Sequence, residues 1–75
     1  MDKYIEKLQE LLEKGIDADK ASAVKWAISN LENSQGSASN ANNIAILKML
    51  AEDENFKEYA VALNWAVYSL EYFFV

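Results

Sequence analysis

The groups in this chain with the means to do chemistry are mostly carboxylates, and they gather in two places, Asp17 with Asp19 and the run Glu52-Asp53-Glu54. A calcium-binding loop needs a longer alternation of acidic residues, a glycine at its sharp turn and a closing glutamate, and neither cluster has them. Both clusters fall where helices are expected to start or stop, so their chemistry is that of caps and solvated ends. No metal site and no cofactor is expected. Ser22, Ser29, Ser34, Ser37, Ser39 and Ser69 stand in a chain without a histidine to take a hydroxyl proton. The lysines fall on polar faces or in loops, where the ammonium stays solvated and protonated. With no cysteine there is no thiolate, no disulfide and no cysteine-based zinc site. No catalytic residue emerges, and the chain reads as a non-enzyme.

The other residues with chemical character are aromatic: Trp26, Trp65, Tyr68 and Tyr72. Stacking on nucleobases works together with a basic groove, whereas this chain carries a net charge of −5 and no arginine. A helix-turn-helix reading of the first two helices meets the same obstacle, since the second offers only Lys20 and Lys25 for phosphate or base contacts. No direct nucleic-acid binding is expected. Trp26 and Trp65 are expected in the core or at a seam between the two halves. Tyr68 and Tyr72 are expected at a protein interface, where aromatics are enriched and their hydroxyls reach a wet rim. The polar run Asn40-Ala41-Asn42-Asn43 is read as helix-start capping and not as a ligand site.

These residues are positioned by helices. Hydrophobic residues make up 52% of the 75, and aromatics 12%, a composition that forms a packed core. Tyr4, Ile5, Leu8, Leu11 and Leu12 form the stripe of a first helix capped by Asp2, with Glu6, Glu10 and Lys14 on the wet side and Glu10 spaced to pair with Lys14. Gly15 followed by Ile16 predicts a left-handed C-terminal cap. Asp17 or Asp19 caps a second helix with Ala21, Val24, Ala27, Ile28 and Leu31 inward and Trp26 to one side. The stretch 33–43 is nearly all Asn, Ser, Gln, Gly and Ala, and reads as the one linker. Asn40 caps a third helix with Ile44, Leu47, Leu50 and Ala51 inward. Asn55 with Glu58 has the spacing of a capping box, which predicts the start of the last helix; the alternative, since no proline or glycine marks the break, is one continuous bent helix.

That last helix has two apolar stripes. Phe56, Ala60, Leu63, Val67, Leu70 and Phe74 form one, and Val61, Trp65, Tyr68, Tyr72 and Val75 form a second on nearly the opposite side. Lys57, Asn64 and Glu71, with neighbours such as Glu58 and Ser69, interrupt the apolar girth. A shift of thirty-nine residues superposes the two halves: Ala23, Trp26, Ala27, Leu31 and Glu32 fall on Ala62, Trp65, Ala66, Leu70 and Glu71. Ile5, Leu8, Leu11 and Glu13 fall in the same way on Ile44, Leu47, Leu50 and Glu52. Amphipathicity alone does not require the tryptophans and glutamates to agree, so the unit is read as a helical hairpin used twice.

The expected fold is therefore all-α: four short helices over about 2–14, 18–33, 40–52 and 55–74, arranged as two antiparallel hairpins with internal repeat-like symmetry. One helical domain, 1–75, contains hairpin one (1–36) and hairpin two (40–75). The apolar window 59–75 is shorter than the roughly 20 residues that span a bilayer and contains Asn64 and Glu71, so no membrane span is expected. The start, Met1-Asp2-Lys3-Tyr4, lacks a basic region followed by an apolar run, and a cytoplasmic location is expected. Three other short helices can hardly cover both stripes of the last one. The expected function is accordingly a small protein-interaction module that forms a homodimer through Val61, Trp65, Tyr68, Tyr72 and Val75. The alternative is a small acidic inhibitor or immunity-type protein, bacterial or phage, that blocks a basic site on a nuclease, toxin or nucleic-acid-binding complex. Its surface would be Glu52, Asp53, Glu54 and Glu58, joined by Asp17 and Asp19 where the loops meet.

Overall fold

Four helices form where apolar residues recur at helical spacing, and the computed structural model describes them over residues 3–33 and 41–72. Helix α1 (Lys3–Glu13) buries Ile5, Leu8 and Leu11, while Tyr4 and Leu12 pack partly against the same core. It ends as the sequence predicts. Gly15 takes φ 82°, the left-handed region that a side chain would resist. The amides of Lys14 and Gly15 donate to the carbonyls of Leu11 and Leu12, and Ile16 folds back onto the core. The expected Glu10–Lys14 pair does not form. Glu10 lies instead 3.6 Å from the Lys7 Nζ, because Lys14 stands past the last helical residue, where its ammonium lies 5.6 Å from the centre of the Tyr59 ring.

Helix α2 (Ala18–Asn33) starts from Asp17, whose carbonyl accepts the first helical bond from the Ala21 amide at 2.8 Å. Val24, Ala27 and Ile28 are buried as expected, and so is Ala23, outside the predicted stripe. The stripe is wider because α2 is touched from three sides. Helix α3 (Ala41–Glu52) buries Ile44, Leu47 and Leu50. The proposed caps Asp2 and Asn40, and the stripe ends Phe74 and Val75, lie outside the described residues.

The fourth helix does not begin at Asn55. Asp53 is extended (φ −81°, ψ 123°), and its carboxylate accepts the Asn55 amide at 2.9 Å, so Asp53 is the cap. A 3₁₀ segment, Glu54–Tyr59, follows, within which Phe56 leaves helical dihedrals (φ −118°, ψ 28°). Only then does α4 (Ala60–Tyr72) begin. The capping-box spacing of Asn55 and Glu58 misled because Asp53, two residues earlier, already supplies the oxygen that the first free amide needs.

Among the described residues α1 lies against α2 and α4, α3 lies against the same two helices, α2 and α4 meet, and α1 and α3 do not touch. Each leucine-striped helix thus bridges both tryptophan-bearing ones. Leu8, Leu11, Leu47, Leu50, Leu63, Leu70 and Val24 are the largest side chains fully removed from water. Burial of each contributes on the order of 1.5–3 kcal/mol. The two halves agree beyond their sequences: α1 and α3 end thirty-nine residues apart, as do α2 and α4. From residue 3 to residue 13 every position has the same degree of burial as the position thirty-nine further on, and so do residues 21 to 29. No strand occurs among the described residues, and no helix is long and apolar enough to cross a membrane.

Candidate interaction surface on the last helix

Helix α4 buries Ala62, Leu63, Ala66, Val67, Ser69 and Leu70. Ser69, read from sequence as an interruption of the apolar girth, belongs to this inner set, since a hydroxyl of that size fits where α4 meets its neighbours. Around the remaining arc, taken at about 100° per residue, come Glu71, Asn64, Tyr68, Val61, Tyr72 and Trp65. Val61 is 66% exposed, Tyr68 55% and Tyr72 69%. The tyrosine rings, one turn apart, lie 4.9 Å centre to centre and shield part of each other. Glu71 at one border is held 3.3 Å from the Lys48 Nζ of α3. Trp65 forms the other border. It is half-buried, packed on the core and stacked on Tyr4 of α1 with 5.1 Å between ring centres. Of the five residues expected at an interface, the structure therefore presents three outward on one arc and sets Trp65 at its edge. Val75 lies outside the described residues.

The same arc of α2 is polar. Ser22 and Ser29 occupy the positions of Val61 and Tyr68, with Lys25 at that of Asn64, and all three are exposed. Residues 21–29 and 60–68 are buried alike, and the two helices differ in the residue types of their outer faces. A helix at this place in the fold does well with serine and lysine outward, so folding does not require the apolar arc of α4.

The acidic residues are spread more widely than the sequence suggests. Glu52, Glu54 and Glu58 are exposed, while Asp53 is partly covered and occupied as a cap. Asp19 does not join them. Asp19 lies with Ser22, Asn42, Asn43 and Ile46 on a cleft of about 280 Å³ at the start of α3, whereas Glu52 stands at the far end of that helix, roughly 15 Å away at 1.5 Å per residue. Glu58 is instead near Glu10 and Glu13 of α1. Burial of the Tyr59 ring, then the charges of Glu58 and Glu10, a hydrogen bond with Glu58 and the charge of Glu13 push the Tyr59 hydroxyl above the usual phenol range. Lys7 and Lys14 lie over the same ring, 5.2 and 5.6 Å from its centre. This end of the molecule is mixed in charge.

Sequence reasoning did not single out Tyr59, because its partners arrive from the far end of the chain. Met49, 64% exposed on α3, was also missed. A signal was available, since Met49 falls on Glu10 in the thirty-nine-residue alignment. No group of three or more potential metal-ligating residues occurs among the described residues. Comparison with known proteins finds no match to a family model, to a curated protein or to a solved structure.

Proposed function

We propose that this protein is a small non-enzymatic interaction module that self-associates through the outward arc of its last helix. One observation carries the reading: Val61, Tyr68 and Tyr72 are exposed on α4 at positions where the otherwise equivalent α2 has Ser22, Ser29 and Asn33. Exposed aromatics clustered on one face, with few charges among them, are what interface centres are made of. The alternative of an acidic inhibitor has less support, because Lys7 and Lys14 stand among Glu10, Glu13 and Glu58 and dilute the field that a basic partner would meet.

The test replaces Val61→Ser, Tyr68→Ser and Tyr72→Asn together, giving α4 the outer face of α2. Each substitution on an exposed site should change stability by no more than about 0.5 kcal/mol, and helical circular dichroism should be unchanged. Sedimentation should show the parent chain associating as concentration rises and the variant remaining a monomer. A parent chain that stays monomeric throughout would remove the self-association reading.

A further inference from the structure

Granting self-association through α4, the geometry points to an antiparallel pairing of α4 with α4 of a second copy, about a two-fold axis passing between residues 66 and 67. The inference rests on the reading above and adds the partner's orientation and register.

Three features fix the orientation. The first is shape. The arc runs from one small residue, Val61, to large ones, with Tyr72 at the other end and Trp65 and Tyr68 between. Parallel copies would set Val61 against Val61 and Tyr72 against Tyr72, leaving a wedge that opens at the valine end and cannot pack to interior density. Antiparallel copies set each Val61 against a Tyr72 and each Trp65 against a Tyr68, so every layer has similar volume. The second is charge. Asn64 and Glu71 lie seven residues apart along one border of the arc, and Lys48 already offsets Glu71 within the chain. In the antiparallel register each Asn64 lies about 3 Å along the helix axis from the other copy's Glu71, close enough for its amide to donate to that carboxylate as a charge-assisted pair. The third is the helix dipole, whose ends oppose each other when two helices run in opposite senses and reinforce like with like when they run together. A two-fold axis also closes the assembly at two copies.

The patch sets the affinity. At the exposures of Val61, Tyr68 and Tyr72, these three side chains offer about 400 Å² per copy, given that a large aromatic buries roughly 150–250 Å². That total lies below the standard protein–protein interface. Association is therefore expected at tens of micromolar and above, and experiments should be run there.

The absence of cysteine makes the test clean. Val61→Cys and Tyr72→Cys, both at exposed sites, are oxidised with a glutathione couple, alone and as an equimolar mixture, alongside sedimentation of the parent chain. Residues 61 and 72 of opposite copies are expected to be neighbours, whereas 61 and its own copy are separated by roughly 16 Å along the helices, beyond disulfide reach. The expected result is a 61–72 link that forms about tenfold faster or more in the mixture than either self-link. Fast self-links in both single variants, with a dimeric parent, would overturn the orientation and leave self-association standing. A dimeric parent with no link of any kind would overturn the α4 seam itself. A monomeric parent would overturn the functional reading on which this inference rests.

Discussion

The first half of the chain has Glu10, Ser22 and Ser29 where the second has Met49, Val61 and Tyr68, all six exposed. Inward the correspondence runs the other way. Ile5, Leu8, Leu11, Ala23 and Ala27 are matched by Ile44, Leu47, Leu50, Ala62 and Ala66, and all ten are buried. Among the described residues the large exposed hydrophobics, Met49, Val61, Tyr68 and Tyr72, belong to the second half, which also has only two of the seven lysines. Two copies of one helical plan thus separate what packing demands from what it leaves open. Where both halves agree on an apolar residue, it serves the core, and where they part on the outside, the first half shows what solvent alone would permit.

The inner agreement is the easiest to break. Leu8→Ala and Leu47→Ala should each cost about 2–5 kcal/mol, the scale for emptying a fully buried leucine site, and should agree within about 1 kcal/mol. Urea unfolding followed by circular dichroism measures both, and a wider gap would mean that the halves share a pattern without sharing an environment. The tryptophans come next. Both are half-buried, so alanine should cost less than in a sealed core, on the order of 2 kcal/mol. Trp65→Ala should exceed Trp26→Ala by about 1 kcal/mol because of the stack of Trp65 on Tyr4. A double-mutant cycle with Tyr4→Ala isolates that difference, and a coupling near zero would remove the asymmetry.

The turns differ too. Gly15→Ala should cost roughly 1 kcal/mol through backbone strain alone, since an added Cβ meets no atom within 4 Å. Asp53→Ala should cost about 1 kcal/mol by a different route, the loss of a cap, and Asp53→Asn should restore most of it. Equal recovery by asparagine at position 15 would indicate tolerance of the left-handed region there and no special demand for glycine. The smallest effect concerns Tyr59. Its hydroxyl is held above the usual phenol range in the folded chain, so the folded state keeps that proton more tightly than the unfolded one. The contribution is fully present below the ordinary phenol pKa near 10 and is lost as pH rises through the higher folded value. Tyr59→Phe should therefore lose less thermal stability than the parent between pH 9 and pH 11; an identical pH dependence would refute this.

Most of the helical plan was legible because period and burial speak the same language: the leucines of α1 and α3 and the Val24–Ala27–Ile28 stripe were placed from spacing alone. The left-handed turn at Gly15 was legible because few residues adopt that backbone region. The start of the last helix was not, since Asp53 and Asn55 are both good caps and only the three-dimensional path decides which oxygen meets which amide. Ala23 and Ser69 were misplaced for another reason: a stripe drawn from one helix does not know how many neighbours that helix will have. The exposed arc of α4 was readable as an excess of apolar residues. Its meaning came from α2, whose polar counterpart shows that the excess is not owed to the fold.

One consequence follows from α1 meeting α2 and α4 but never α3. The leucines of α1 are completed by residues some sixty positions further along the chain, Tyr4 against Trp65 among them. On the ribosome, α1 emerges well before α4 and waits for it. Until the segment carrying Trp65 has left the exit tunnel, half of its apolar face has no native neighbour, and at ordinary translation rates that interval lasts several seconds. In that interval α1 depends on its charged side chains, Lys3, Glu6, Lys7, Glu10 and Glu13, to keep its leucines from meeting those of another nascent chain.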